Sequence, residues 1–262
     1  MRPADLLSAV RRRDGVLFFL GTAHFALLLV MGVAALFDDR TVMGLNPWVK
    51  PAKFAASIGL YLWTVAWLLA ELPAPRWGRA VVRWTVAAAM TSEMALIGMQ
   101  AARGTTSHYN VSTPFDAAVF NGMGLMIIVN TLAASLLFAL FCRPLPGLPR
   151  AYAWGIRLGL LVFVAGSLEA VVMIVRGAHS VGLPDGGAGL PIVNWSTRGG
   201  DLRIAHLLGL HALQVFPLLG FVMGRRHPDR GLLPLAAFVL VYTALTVGLF
   251  WQAMQGRPLL AI

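Results

Sequence analysis

Glu93 and Glu169 each stand inside a long apolar run of this 262-residue chain. On insertion scales an Asp, Lys or Arg at mid-helix costs about 2.5–3.5 kcal/mol, so such groups normally turn toward a bundle interior and mark a pathway or a site. A carboxyl there can carry protons, or it can clamp neighbouring helices through hydrogen bonds. Each glutamate has a polar companion seven residues on, Gln100 for Glu93 and Arg176 for Glu169. That spacing returns to the same helical stripe about 10 Å further along, at ~1.5 Å per residue.

The segment DLRIAHLLGLHALQVFPLLG is the richest in such groups. With Arg203 at zero and ~100° per residue, His206 lies near −60°, Gln214 near +20° and His211 near +80°. The opposite face is apolar: Ala205, Leu208, Ala212, Val215 and Leu219. A polar stripe on one side of a membrane helix faces protein or water. His206 and His211 are five residues apart, whereas the helical zinc motif sets its histidines at i and i+4. A shared metal ion would need His108, Glu93 or Asp116 from other helices; otherwise the two histidines serve different partners. His24 lies at a depth similar to His211, and two such imidazoles can be the axial ligands of a b-type haem. The competing role for each is a hydrogen bond to a backbone carbonyl or to Asn130.

Lys53, Arg103, Arg176 and Arg203 fall at one set of helix ends, where a ring of cations would attract an anion. Asp38, Asp39, Asp116, Asp185 and Asp201 on the same side could neutralise it, and Lys53 could snorkel to headgroups or counter Asp116 or Asp201. The chain has no phosphate-binding glycine loop, no G-x-S-x-G elbow and no H-E-x-x-H.

These groups need elements to hold them, and composition says which. The chain is 58% hydrophobic and 12% charged, with mean hydropathy +0.74. A soluble domain carries about 25% charged residues, so no water-facing surface can be covered here. Disorder is excluded on the same grounds, and a disulfide scaffold by the single Cys142. Seven stretches are long enough to cross ~30 Å of hydrocarbon: Gly15–Phe37, Ala52–Ala70, Ala80–Ala102, Ala117–Phe141, Ala151–Val175, Leu202–Met223 and Leu232–Met254. Each must be helical, because lipid offers no partner to a free backbone group. The first is too long for a signal-peptide core and, behind Arg11–Arg13, reads as a retained anchor. The expectation is an all-α polytopic bundle in a single domain, residues 1–262.

Basic residues set its orientation. Arg2, Arg11–Arg13, Arg76, Arg79, Arg83, Arg143, Arg150, Arg157, Arg225, Arg226 and Arg230 collect on one side, and fewer on the other. The N-terminus is thus expected in the cytoplasm and the C-terminus outside. The net charge of +10 belongs mostly to inner flanks beside anionic headgroups and does not indicate nucleic acid. Arg far outnumbers Lys, which points to a GC-rich bacterial genome and an inner-membrane location. The loops assigned outside are the longer ones and carry RGTTSHYNVSTPFD and NWSTRGGD, so function is expected on that face.

Two consecutive hairpins share an ordered polar set: Glu93, Arg103, His108, Ser112-Thr113, Asp116, Asn121, Gly124, and Glu169, Arg176, His179, Ser196-Thr197, Asp201, His206, Gly209. This is either a parallel duplication of spans 3–4 and 5–6 or a chance pattern in a chain of few residue types.

The stretches KPAKFAASIGLY, QAARGTTSHYNVSTPFD and GDLRIAHLLGLHALQ resemble a family of uncharacterised bacterial multi-pass membrane proteins. The resemblance implies a membrane fold over most of the chain and transfers no activity. Seven-helix hydrolases of the ceramidase and progestin-receptor-like group are similar in inventory only, since their paired histidines keep the i, i+4 spacing.

The leading expectation is a membrane enzyme or redox protein, with a polar site between spans 1, 3, 4, 5 and 6 open to a small-molecule ligand from outside. Its chemistry is assigned to Glu93, Glu169, Asp116 and Arg203, haem ligation to His24 and His211, and metal ligation to His108 and His206. Ligand contacts are assigned to Lys53, Gln100, Arg103, Arg176, Asp201 and Gln214. The alternatives are a proton- or ion-coupled small-molecule transporter and a non-catalytic accessory subunit.

Overall fold

The computed structural model describes residues 3–73, 75–187, 189–227 and 230–261. Arg2, counted among the inner basic residues, lies outside them. The described chain is helical almost throughout: α1 Pro3–Arg13, α2 Gly15–Ala34, α3 Val49–Glu71, α4 Arg76–Ala102, α5 Pro114–Phe141, α6 Arg150–Arg176, α7 Leu202–Arg226 and α8 Leu232–Met254. Helices α2 to α8 are long and apolar enough to span a bilayer, so this is an all-α, multi-pass membrane protein. Helix α1 is an addition to the expected seven. It is short and polar, and it stops where Asp14 takes an extended conformation and accepts the Leu17 amide as the N-cap of α2.

Contacts group the chain into two compact units, Met1–Leu136 and Leu137–Ile262, with the cut inside α5.

In the first unit α3 packs on α2, and α4 packs on both. Trp63 stacks on Phe18 and donates to its carbonyl oxygen at 3.1 Å. Gly59 fits against α2 because a Cβ there would come 3.1 Å from the Gly21 carbonyl oxygen. Ionic contacts tie the end of α2 that carries its N-terminus: Arg83 on α4 to Asp14 at 2.5 Å, and Arg13 to Glu71 at 2.6 Å. At the other end, Asp38 accepts from Arg40 and from the Trp48 indole, and Arg40 donates to the last free carbonyls of α4 at Ala102 (3.1 Å). The Arg40 guanidinium and the Trp48 N–H hold the Asp38 carboxyl well below the usual range.

In the second unit α6 and α7 pack along their length through glycines. A Cβ on Gly155 would lie 2.4 Å from the Phe216 carbonyl oxygen, and one on Gly166 would lie 2.8 Å from the Gly209 Cα. Close approach through small residues is how membrane helices gain van der Waals contact where lipid gives no hydrophobic drive. Gly209 and Gly220 are contact points, whereas Gly122 and Gly124 have open space where a side chain would go. Gly177, with φ +65°, closes α6, and the amides of Gly177 and Ala178 bond back to Ile174 and Met173. A two-residue ribbon then joins β1 (Ser180–Val181) to β2 (Gly200–Asp201), which leads into α7. Helix α8 buries Leu235 and Ala253 and leaves Leu233, Leu240 and Val241 exposed, a face suited to lipid.

In detergent, Gly220→Ala is expected to destabilise the protein by about 1–3 kcal/mol, the usual cost of overpacking, because its new methyl would meet the Ala151 carbonyl oxygen at 2.4 Å. Gly248→Ala in α8, with nothing within 4 Å, serves as control and is expected to be neutral or stabilising. Thermal unfolding of both variants checks the contrast.

Candidate functional site

In the first unit the polar site is built where α4 ends and α5 begins. Asp116 sits in the first turn of α5, behind Thr113 and Pro114. The Asp116 amide donates to Thr113 Oγ1 (3.1 Å) while the Thr113 hydroxyl donates to Asp116 Oδ2 (2.7 Å), a reciprocal cap of the S/T-x-x-acid kind. The other carboxylate oxygen accepts Gln100 Nε2 at 2.9 Å and Arg103 Nη1 at 2.5 Å, and Arg103 also donates to Gln100 Oε1. Gln100 and Asp116 are both buried. Asn110 folds the loop above them, bonding Thr105, the Thr106 carbonyl and Ser112.

Glu93 lies about two turns below Gln100 on α4 and is 1% exposed. Among the described residues neither carboxylate oxygen has a hydrogen-bond partner. The nearest ionisable nitrogen is His108 Nε2 at 3.8 Å, an ion-pair contact too long for a hydrogen bond. Lys50, at the start of α3, is the cation whose charge reaches Glu93. His108 is held from the other side by Ser107 Oγ, 3.0 Å from Nδ1. Its ring sits among Phe54 (5.8 Å), Phe120 (6.5 Å) and Tyr109 (6.1 Å). Tyr109 adopts φ +58°, an uncommon backbone state for a bulky residue and one that recurs at functional sites. With 22% of its side chain exposed, His108 links a buried acid to the surface.

The second unit repeats the theme with different parts. Glu169 on α6 also has two buried carboxylate oxygens without hydrogen-bond partners. His206 Nδ1 on α7 stands 3.2 Å from Glu169 Oε2 but lies 2.9 Å from the Gly166 carbonyl oxygen. A carbonyl only accepts, so Nδ1 carries the hydrogen and aims it at Gly166. Asp201 N-caps α7 and binds the Arg203 guanidinium at 2.9 and 2.6 Å, with Ser196 N at 2.8 Å. Arg203 reaches on to the Asn194 carbonyl. In the loop, Asp185 accepts the His179 ring (2.7 Å), the His179 amide (2.9 Å) and the Ser180 amide (2.8 Å). Burial alone would push the Asp185 carboxyl up, but these donors hold it well below the usual range.

The residues singled out by sequence thus fall into two groups, one per unit. Glu93, Gln100, Arg103, His108 and Asp116 come together, with Lys50 and Ser107 added; Lys53 stands half-buried near the start of α3. Glu169 with His206 and Asp201 with Arg203 form the pairs of the second unit, while Arg176 is exposed at the end of α6. His24 bonds the Leu20 carbonyl oxygen at 2.7 Å, the backbone role weighed against haem ligation, and Asn130 is taken by Tyr61. His211 Nδ1 stands 3.3 Å from Gln214 Oε1, so the two histidines of α7 have different partners. Arg103 and Arg203 are each neutralised by an aspartate of their own unit. Among the described residues no three His, Cys, Asp or Glu side chains are grouped to hold a metal ion; His108 and His206 face one carboxylate each.

The shared polar order of the two hairpins does not carry over contact by contact. His108 stands by Glu93, yet its counterpart His179 binds Asp185, and Glu169 is faced by His206. The contribution of Lys50 was not readable because it arises on another helix. That of Ser107 had a signal in its position next to His108.

A multi-pass membrane protein with a buried carboxyl beside an imidazole in each half is the class these observations define. No protein-family model matches the chain, and neither a curated protein nor a solved structure does. Function therefore has to be argued from the side chains.

Asp116→Ala is expected to destabilise the first unit by about 1–3 kcal/mol, since it leaves the buried Gln100 amide without its acceptor and removes the partner of the exposed Arg103 guanidinium. Chemical unfolding in detergent measures it. For Asp185 the native carboxyl titrates below its unfolded value of about 3.9. Its stabilisation is full above about pH 4 and is lost as pH falls through the lower native value. Asp185→Asn is therefore expected to unfold more easily than wild type near neutrality and to lose that margin in acid, followed by thermal unfolding across pH.

Proposed function

We propose that the protein is a proton-coupled membrane transporter of a small polar molecule, with Glu93 and Glu169 as its proton carriers. The observation that carries this reading is the pair of glutamates, each with both carboxylate oxygens buried and, among the described residues, without a hydrogen bond, and each with a histidine as its ion-pair neighbour. A carboxylate in such a place is costly unless a proton or cation joins it, so its charge state is coupled to what enters the site. In the first unit the path runs from the surface to His108, steadied by Ser107, and on to Glu93. In the second it runs through His206 to Glu169. Arg103 and Arg203, each tied to an aspartate, position the loops rather than bind free anions.

The side carrying these sites is assigned to the outside of a bacterial inner membrane by the distribution of arginines. A membrane enzyme remains the second reading, favoured by the Ser107–His108 hydrogen bond next to an acid, but Ser107 is buried and offers no reachable nucleophile. A haem held jointly by His24 and His211 is not part of either reading.

Reconstituted into liposomes with a pH-sensitive dye inside, the protein is expected to pass protons when a potential is imposed. Glu93→Gln and Glu169→Gln, which keep shape but cannot carry the proton, are each expected to slow that flux at least tenfold, within the range of about 10²–10⁴ that a positioned acid–base group can contribute. Flux unchanged in both variants refutes the proposal.

A further inference from the structure

His24 has no part in the proton path, yet it is 3% exposed on α2 in the first unit. Its Nδ1 lies 2.7 Å from the Leu20 carbonyl oxygen, so the hydrogen is on Nδ1 and Nε2 presents a lone pair. That lone pair is buried and, among the described residues, has no hydrogen-bond partner. An imidazole with its other N–H tied to a backbone carbonyl is oriented and made more basic as a metal ligand.

The register between α2 and α4 indicates what it faces. Arg83 meets Asp14 at 2.5 Å, and the Met31 methyl lies 3.8 Å from where a Cβ on Gly98 would stand. The offsets 83 − 14 and 98 − 31 are 69 and 67, so the helices run parallel and His24 is level with residues 91–93. At ~100° per residue, Arg83 stands about 60° around α4 from Gly98, and Met94 and Met90 stand about 40° and 80° in the same sense. Met94 falls between the two directions in which α4 reaches α2 and Met90 about 20° beyond the Arg83 direction, each about 3 Å from the level of His24 along the axis at ~1.5 Å per residue. Both are buried, as is Met31, which shares the His24 stripe on α2.

We propose that His24 Nε2 and the thioether sulfurs of Met90 and Met94 bind a single Cu(I) ion inside the first unit. Thioether with imidazole is a soft ligand set that suits Cu(I) and not the hard cations. All three ligands are neutral, so the buried site holds only the single charge of the ion. Unbranched methionine side chains can close on it without moving the helices. The inference does not rest on the transport reading, with which it shares no residue.

The test is equilibrium binding of Cu(I), supplied alone under reducing, oxygen-free conditions, to the full chain in detergent against a chromogenic Cu(I) chelator. Wild type is expected to hold one ion per chain. His24→Gln, Met90→Leu and Met94→Leu are each expected to weaken binding at least about tenfold, the lower end of the cost of losing even an outer-shell partner. The Leu variants conserve volume and keep the fold, so they decide the matter if His24→Gln does not fold. X-ray absorption is expected to show one nitrogen and two sulfurs around copper. Failure to retain Cu(I), retention unchanged by both Leu variants, or a Soret band in the purified protein that vanishes with His24→Gln would each overturn the assignment.

Discussion

In a chain with lipid for solvent, a buried side-chain charge is costly unless the protein supplies its counterpart. The aspartates obey this without exception among Asp14, Asp38, Asp116, Asp185 and Asp201. Each accepts from an Arg or His side chain and from at least one backbone or neutral side-chain donor. All five stand at helix ends or in loops, where backbone amides are free to donate and arginines can bring their guanidinium groups. Glu93 and Glu169 lie within helices, where the amides are already used by the i−4 carbonyls, and neither carboxylate receives a hydrogen bond from the described residues. The same charge chemistry is thus spent on structure at the ends and left open in the interior.

Packing explains why the open positions stay dry. In the second unit α6 and α7 approach so closely that glycine hydrogens stand where side chains would collide with backbone, and both Glu169 carboxylate oxygens are buried beside the His206 ring. In the first unit the seal is aromatic: Phe54, Tyr109 and Phe120 surround His108, the group nearest Glu93. Two different solutions lead to one outcome, an acid whose approach is an imidazole.

The number of spans and their rough limits were readable from hydropathy, because a bilayer demands about 20 apolar residues whatever the tertiary structure. Glu93 and Glu169 were readable for the same reason, as costs that need a cause. Contacts between elements distant in sequence were not. Lys50 near Glu93, Arg83 on Asp14, and the Tyr61–Asn130 bond at 3.1 Å depend on how helices face one another, which periodicity does not fix. Equal depth suggested a partnership of His24 with His211, but depth says nothing about azimuth or neighbours. The glycines show the limit most plainly: Gly122 and Gly124 stand inside an apolar span as Gly209 and Gly220 do, and only the latter pair meets another backbone.

His24 and His206 also show how a helix interior selects a histidine tautomer. Each gives its Nδ1 hydrogen to a backbone carbonyl, Leu20 in one case and Gly166 in the other. The oxygen already accepts within its own helix, but its second lone pair is free, and in a low dielectric a further donor is worth more than in water. Fixing hydrogen on Nδ1 makes Nε2 the basic atom. For His206 the carboxylate of Glu169 then competes with Gly166 for one N–H, at 3.2 against 2.9 Å, and a small ring rotation would exchange them. For His24 no acid among the described residues competes for the ring, and the basic nitrogen remains buried with no hydrogen-bond partner among them. A backbone bond common to both rings therefore yields opposite properties: a switchable donor on α7 and a fixed, electron-rich acceptor on α2.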